Sequence, residues 1–133
     1  MFHLALSNNK NFWNNSKKNI YLGTWMMPDE LKKKFSSYDF VIPDWPWDNL
    51  DKFYSDSLKV WGDYENFILE LAKVLNEIHG LNWSLKAWKI LVGPWLRRYM
   101  TVIYERNETI STLYNSYNIR SCFIKDFSLM DLQ

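Results

Sequence analysis

The feature that most constrains this chain is a long stretch of helical periodicity cut twice by helix-breaking residues, at His79-Gly80 and at Gly93-Pro94. From about Tyr64 to His79 (64–79), Phe67, Leu71, Val74, Leu75 and Ile78 recur at the spacing of one helix face. Asp63 stands where its carboxylate can accept from the first free backbone N–H groups, so it is the expected N-cap. Gly80 can take the left-handed conformation that ends a helix. A second helix is expected from about Ser84 to Arg106 (84–106), capped by Asn82 or Ser84. Leu85, Trp88, Val92, Trp95, Tyr99 and Val102 mark its buried stripe. Pro94 lacks an N–H and its ring meets the carbonyl of Ile90, which predicts a kink or break there. A third helix is expected over 108–117.

Strand-like segments flank this helical middle. Asn19–Leu22 is short, apolar and β-prone, and Gly23 ends it (a strand at about 19–23). Phe40-Val41-Ile42 is stopped by Pro43, and Ile119–Ile124 (119–124) reads as a strand made imperfect by Arg120. Phe2–Trp13 reads as an irregular or helical lead-in, and Asp29–Phe35 as a short helix. Pro43-Asp44-Trp45-Pro46-Trp47-Asp48 must be a loop, because its prolines restrict the backbone and remove donors. A helix can start near Leu50. The order strand, loop, several helices, strand predicts an α/β chain dominated by helices, a βαβ-type layout with a parallel pair and a long helical crossover. The 133 residues are one domain's worth.

Composition excludes several function classes. A net charge of +1 is not the basic footprint of a nucleic-acid-binding protein. Cys122 is the one cysteine, so no intrachain disulfide framework exists; it lies in an apolar run, where a buried small hydrophobe is expected. No secretory pattern and no apolar run of membrane-spanning length is present, which predicts a cytoplasmic chain. There is no Walker loop, GxGxxG or nucleophile elbow. His3 and His79 are far apart without second ligands at metal spacing, so no metal site is expected.

Several residues admit both a functional and a structural role. Gly23-Thr24-Trp25 follows a strand, where α/β sheets bind ligands, yet it also suits a tight turn. His79 suits the negative end of a helix, and it is also the candidate acid or base because imidazole titrates near neutrality. Trp45 and Trp47 lie on a loop and are the better candidates for an open stacking surface; Trp88 and Trp95, seven apart, fit a core. Arg97, Arg98 and Arg106 can face an anion or simply solvent.

The stretch Ile78-His79-Gly80-Leu81-Asn82-Trp83-Ser84 through Leu91-Val92-Gly93-Pro94-Trp95-Leu96 resembles a segment of a family of transferases encoded in bacterial O-antigen and related surface-polysaccharide loci. Leu4-Ala5-Leu6-Ser7, Phe12-Trp13, Tyr21-Leu22-Gly23-Thr24-Trp25, Trp47-Asp48-Asn49 and Tyr104-Glu105-Arg106 align in the same order. Asn49 stands where the family tends to have a second Asp, and Met26 where a cysteine often follows the Gly-x-Trp. The resemblance implies a partial Rossmann-like unit, the incomplete N-terminal domain of a two-domain glycosyltransferase-like protein. It implies a nucleotide-sugar donor held by the full-length protein, with no cofactor bound by this chain. Its partners would be the missing C-terminal domain or a partner chain, and a carbohydrate acceptor, at the cytoplasmic face of the membrane. It places Gly23, Trp25, Trp47, Asp48 and Arg106 at the substrate and His79 as the acid or base. The alternative is a non-catalytic helical interaction domain with an aromatic docking face; a peripheral membrane helix around Trp88–Arg98 is a third reading.

Overall fold

The computed structural model describes residues 1–6, 18–26 and 40–123. The expected helix Asp29–Phe35, the pair Phe12-Trp13 and Ile124 lie outside them. The described residues divide into two compact units, one drawn from residues 1–45 and from 109 onward, the other of residues 46–108.

The first unit carries a sheet of four parallel strands, β1 (Phe2–Ala5), β2 (Lys18–Tyr21), β3 (Phe40–Val41) and β4 (Ile119–Cys122), in the order β3-β2-β1-β4. This is the order of the first four strands of a doubly wound Rossmann sheet. β1 corrects the expected irregular lead-in. A central parallel strand is covered on both faces and need not alternate, so its apolar run gives little periodic signal. His3, Leu4 and Ala5 are all buried. His3 is tolerated there because its Nδ1 lies 3.0 Å from Ser121 Oγ on β4.

Successive strand residues face opposite sides, so the sheet has two cores. Ala5, Tyr21 and Met26 pack with Leu22, Phe40 and Ile42. Burial raises the Tyr21 phenol above its ordinary value. Leu4 and Ile20 pack with Leu113 and with Phe2, Val41, Tyr117 and Ile119. β4 ends at Cys122, which is exposed rather than buried.

The second unit is helical. α1 (Leu50–His79) is one helix of 30 residues, not a helix beginning at Tyr64. Its N-cap is Asn49, whose Oδ1 accepts from the Lys52 backbone N–H at 2.9 Å, and not Asp63. Gly62 fails to stop it: one glycine costs a helix only about 1 kcal/mol, which packing on either side offsets. Gly80 ends it as expected, at φ 62. The Gly80 N–H reaches the Glu77 carbonyl and the Leu81 N–H reaches that of Asn76, a Schellman pair.

The expected 84–106 helix is two helices, α2 (Leu85–Leu91) and α3 (Gly93–Ser116), parted at Val92 just before Pro94. Ser84 caps α2, accepting from the Ala87 N–H at 3.3 Å. No boundary falls between 106 and 108; α3 runs through both, and its residues from Thr109 on belong to the sheet unit.

Both expected buried stripes hold only in part: Leu71, Leu85 and Val92 pack against the helical core and Trp88 is buried, but other positions are corrected. On α1 the covered residues are Asp56, Val60, Tyr64, Ile68 and Ala72, each four apart. Phe67, Val74 and Ile78 are exposed. On α2 and α3 the stripe runs Trp88, Val92, Leu96 and Met100, leaving Trp95, Tyr99 and Val102 exposed. Tyr64, Ile68 and Leu96 form the centre of the helical core. Steps of four follow the ridges by which helices most often interdigitate. The periodic signal marked an apolar row beside the one that packing selected. Gly93 is needed in this contact, since a Cβ there would lie 2.6 Å from the Tyr64 hydroxyl.

Candidate functional site

The residues singled out in the sequence fall into separate places. Gly23 and Trp25 follow β2 in the sheet unit, Gly23 just before and Trp25 within a single 3-10 turn, Thr24–Met26. The indole of Trp25 lies over Gly23, so closely that a Cβ on Gly23 would sit 2.5 Å from Nε1. Trp25 is 54% exposed and could offer its ring to a ligand.

Trp47, Asp48, His79 and Arg106 lie in the helical unit. Trp47 precedes α1 and His79 ends it; at 1.5 Å per residue the helix separates them by about 45 Å. No single sugar can touch both. His79 is exposed, its ring stacked 6.5 Å from that of Trp88. Arg106 is already engaged: its Nη1 lies 3.1 Å from Glu105 Oε2. Asp48 is exposed beside the Asn49 cap. Trp45 is 52% exposed, as expected of a loop aromatic, but Trp47 is buried and not part of an open stacking face. Among the described residues no group of three or more His, Cys, Asp or Glu side chains is arranged to hold a metal ion.

Trp47 is buried because of Asp56, a residue the sequence did not bring forward. Asp56 Oδ2 accepts from Trp47 Nε1 at 3.0 Å and from Lys52 Nζ at 2.9 Å, and its Oδ1 accepts from the Tyr104 hydroxyl at 3.0 Å. Burial pushes the Asp56 carboxyl up, but hydrogen bonds from Lys52, Trp47 and Tyr104 outweigh it and hold the group below its ordinary value. Lys52 also donates to Glu108 at 2.7 Å. The two carboxylates raise its ammonium well above the usual lysine value, the bond to Glu108 contributing most. Burial, then the bond to Asp56, raises the Tyr104 phenol. The i,i+4 spacing of Lys52 and Asp56 was the available signal. With its oxygens so engaged, Asp56 is a positioning group that fixes the Trp47 ring.

Two concave features flank this network. One is an apolar groove of about 330 Å³ lined by Phe67, Leu96, Tyr99, Met100, Ile103 and Tyr104 among others. The other, smaller at about 150 Å³, is bounded by Trp47, Phe53, Ser57, Trp61, Arg97 and Thr101. In the second, the guanidinium of Arg97 sits 4.6 Å over the Trp61 ring, and the Phe53 ring meets Trp47 edge-on at 5.5 Å.

A second unforeseen residue, Asn76, organises the turn that carries most of the sequence resemblance. Its Oδ1 accepts from the Trp83 N–H at 3.0 Å and from Trp88 Nε1 at 2.9 Å, and its Nδ2 donates to the Trp83 carbonyl at 3.0 Å. Trp83 packs on Trp88, ring centroids 5.0 Å apart. Lys89 on α2 pairs with Glu65 on α1. Much of the Ile78–Leu96 stretch is thus held in place by caps, a clamp and a helix break.

The parallel sheet in the order 3-2-1-4, with a helical connection between its last two strands, defines an α/β protein with a Rossmann-like unit. A family model of LIC12162 family transferases matches residues 2–132, nearly the whole chain. The chain belongs to that transferase family. No curated protein and no solved structure matched it. No helix among the described residues is long and apolar enough to cross a membrane.

Proposed function

We propose that the chain is the N-terminal, acceptor-side part of a sugar transferase that works in surface-polysaccharide (O-antigen) assembly at the cytoplasmic face of the membrane. The observation that carries this reading is the match to a transferase family over residues 2–132. It is supported by the Rossmann-like strand order, in which ligands lie beyond the carboxyl ends of the strands. Gly23 and Trp25 stand at such an end of β2 and would line the donor-facing cleft. The nucleotide-sugar donor would be held mainly by a C-terminal domain or partner chain. Trp47 and Asp48 would mark the acceptor end of the helical unit, with Arg106 as an anion contact. Any acid or base role of His79 would be played at a different binding position from that of Trp47, since the full length of α1 lies between them.

Disruption of the gene in the organism that carries it tests this. The surface polysaccharide should be lost or shortened on gels and by mass spectrometry, and restored by the intact gene. An unchanged glycan would sink the proposal.

A docking role is the second reading. It is favoured by the exposed row Phe67, Val74 and Ile78 on α1 and by Trp95 and Tyr99 on α3. In this reading the occupant is the remainder of the transferase, and co-expression with it should raise the solubility of this chain.

A further inference from the structure

We propose that the small recess between α1 and the first turns of α3 is a binding site for one sugar ring carrying an anionic group, a uronate or a sugar phosphate, with Arg97 as the anion contact. Its size comes first. At about 150 Å³ it is well below the roughly 300–1,000 Å³ of sites for drug-sized ligands, so it suits a single ring and not a nucleotide sugar.

The chemistry of the walls comes second. Phe53 and Trp61, both half-exposed, offer ring carbon at the recess, and Trp47, nearly buried with its N–H bonded to Asp56, lines it beside Phe53. Fixed aromatic walls suit the C–H faces of a sugar. The Ser57 hydroxyl makes no hydrogen bond within the protein among the described residues. The Thr101 hydroxyl donates to the Arg97 carbonyl at 2.8 Å and keeps its lone pairs for a ligand hydroxyl.

Charge comes third. Lys52, Lys89 and Arg106 are each paired with carboxylates. Arg97 forms no ion pair among the described residues, yet its guanidinium is held over Trp61. That contact orients the fork without using its in-plane N–H donors, which fit a carboxylate or phosphate in two parallel bonds. An oriented, uncompensated cation at the rim of a fixed aromatic recess is the arrangement for an anionic sugar.

The choice of a sugar over other small anions rests on the carbohydrate reading above; the recess and its cation do not. The test is titration of the purified chain with glucuronate, glucose 6-phosphate, glucose, inorganic phosphate and uridine monophosphate, followed by the indole N–H resonances. Glucuronate or glucose 6-phosphate should shift Trp47 and Trp61 saturably and leave Trp83 in place; which of the two binds tells a carboxylate from a phosphate. Glucose and inorganic phosphate should bind about tenfold more weakly or worse, since each supplies half of the recognition. R97Q should weaken the anionic sugar by about tenfold or more, and R97K, which keeps charge without the planar fork, by less. Both changes are at an exposed position and should leave the circular dichroism unchanged.

No shift with either anionic sugar overturns the proposal. So does phosphate binding as tightly as the sugar phosphate, a preference for uridine monophosphate, or unaltered binding by R97Q. None of these outcomes affects the gene-disruption test, so the two proposals fail separately.

Discussion

At the scale of single residues, Asp56 explains more of the helical unit than any aromatic does. It holds Trp47, Lys52 and Tyr104 at once. Replacing it with asparagine should lower stability near neutral pH by roughly 1–3 kcal/mol, the cost of weakening a buried, charge-assisted set of bonds. The pH dependence has a definite sign. The folded pKa lies below the ordinary 3.8, so the ionised group contributes stability that is complete above 3.8 and is lost as pH falls through the folded value. Denaturation curves of the parent and D56N should therefore differ at pH 6 and converge in strong acid. A gap that stays constant into that range would show that Asp56 acts through packing alone. Lys52 has the opposite dependence: its raised pKa makes its contribution complete below 10.5 and lost only in strong alkali.

At the scale of elements, the turn between α1 and α2 is set by one side chain. Asn76→Ala would leave the Trp83 backbone groups and the Trp88 indole N–H without their partner. A loss of roughly 1–3 kcal/mol is expected, read by urea denaturation, with Trp88 becoming more accessible to acrylamide quenching. A silent substitution would mean that water replaces the amide at no cost. The same turn divides what is legible in sequence from what is not. The Gly80 stop, the Ser84 cap and the Gly93-Pro94 break follow from local chemistry and stand as expected. The buried faces do so only in part, because α1 carries one apolar row at Phe67, Leu71, Val74 and Ile78, of which Leu71 packs on the core, and another at Val60, Tyr64, Ile68 and Ala72. Only the partner helix selects between them. β1 is illegible for a different reason: its buried His3 is hydrogen-bonded to Ser121, which is remote in sequence. Trp47 shows the same limit at the candidate site, since nothing local announces that Asp56 will bury it.

At the scale of the molecule, the two units are unlike in how the sequence supplies them. The helical unit is continuous from residue 46 to 108, whereas the sheet unit is drawn from both ends of the chain. A fragment of residues 46–108 retains the Tyr64–Ile68–Leu96 core, the Asp56 network and the Asn76 clamp. It should be helical by circular dichroism and unfold cooperatively; a fragment without a transition would show that this core needs the rest of the chain. The division also sets an order of events during synthesis. β1, β2 and β3 leave the ribosome early, but β1 also pairs with β4. That strand is made only after the whole helical unit. Since chains fold as they emerge, the helical unit can be complete while the centre of the sheet still has one side open. The vulnerable moment in the life of this protein is therefore the interval of translation between Trp45 and Ile119, when an apolar half-sheet waits for β4.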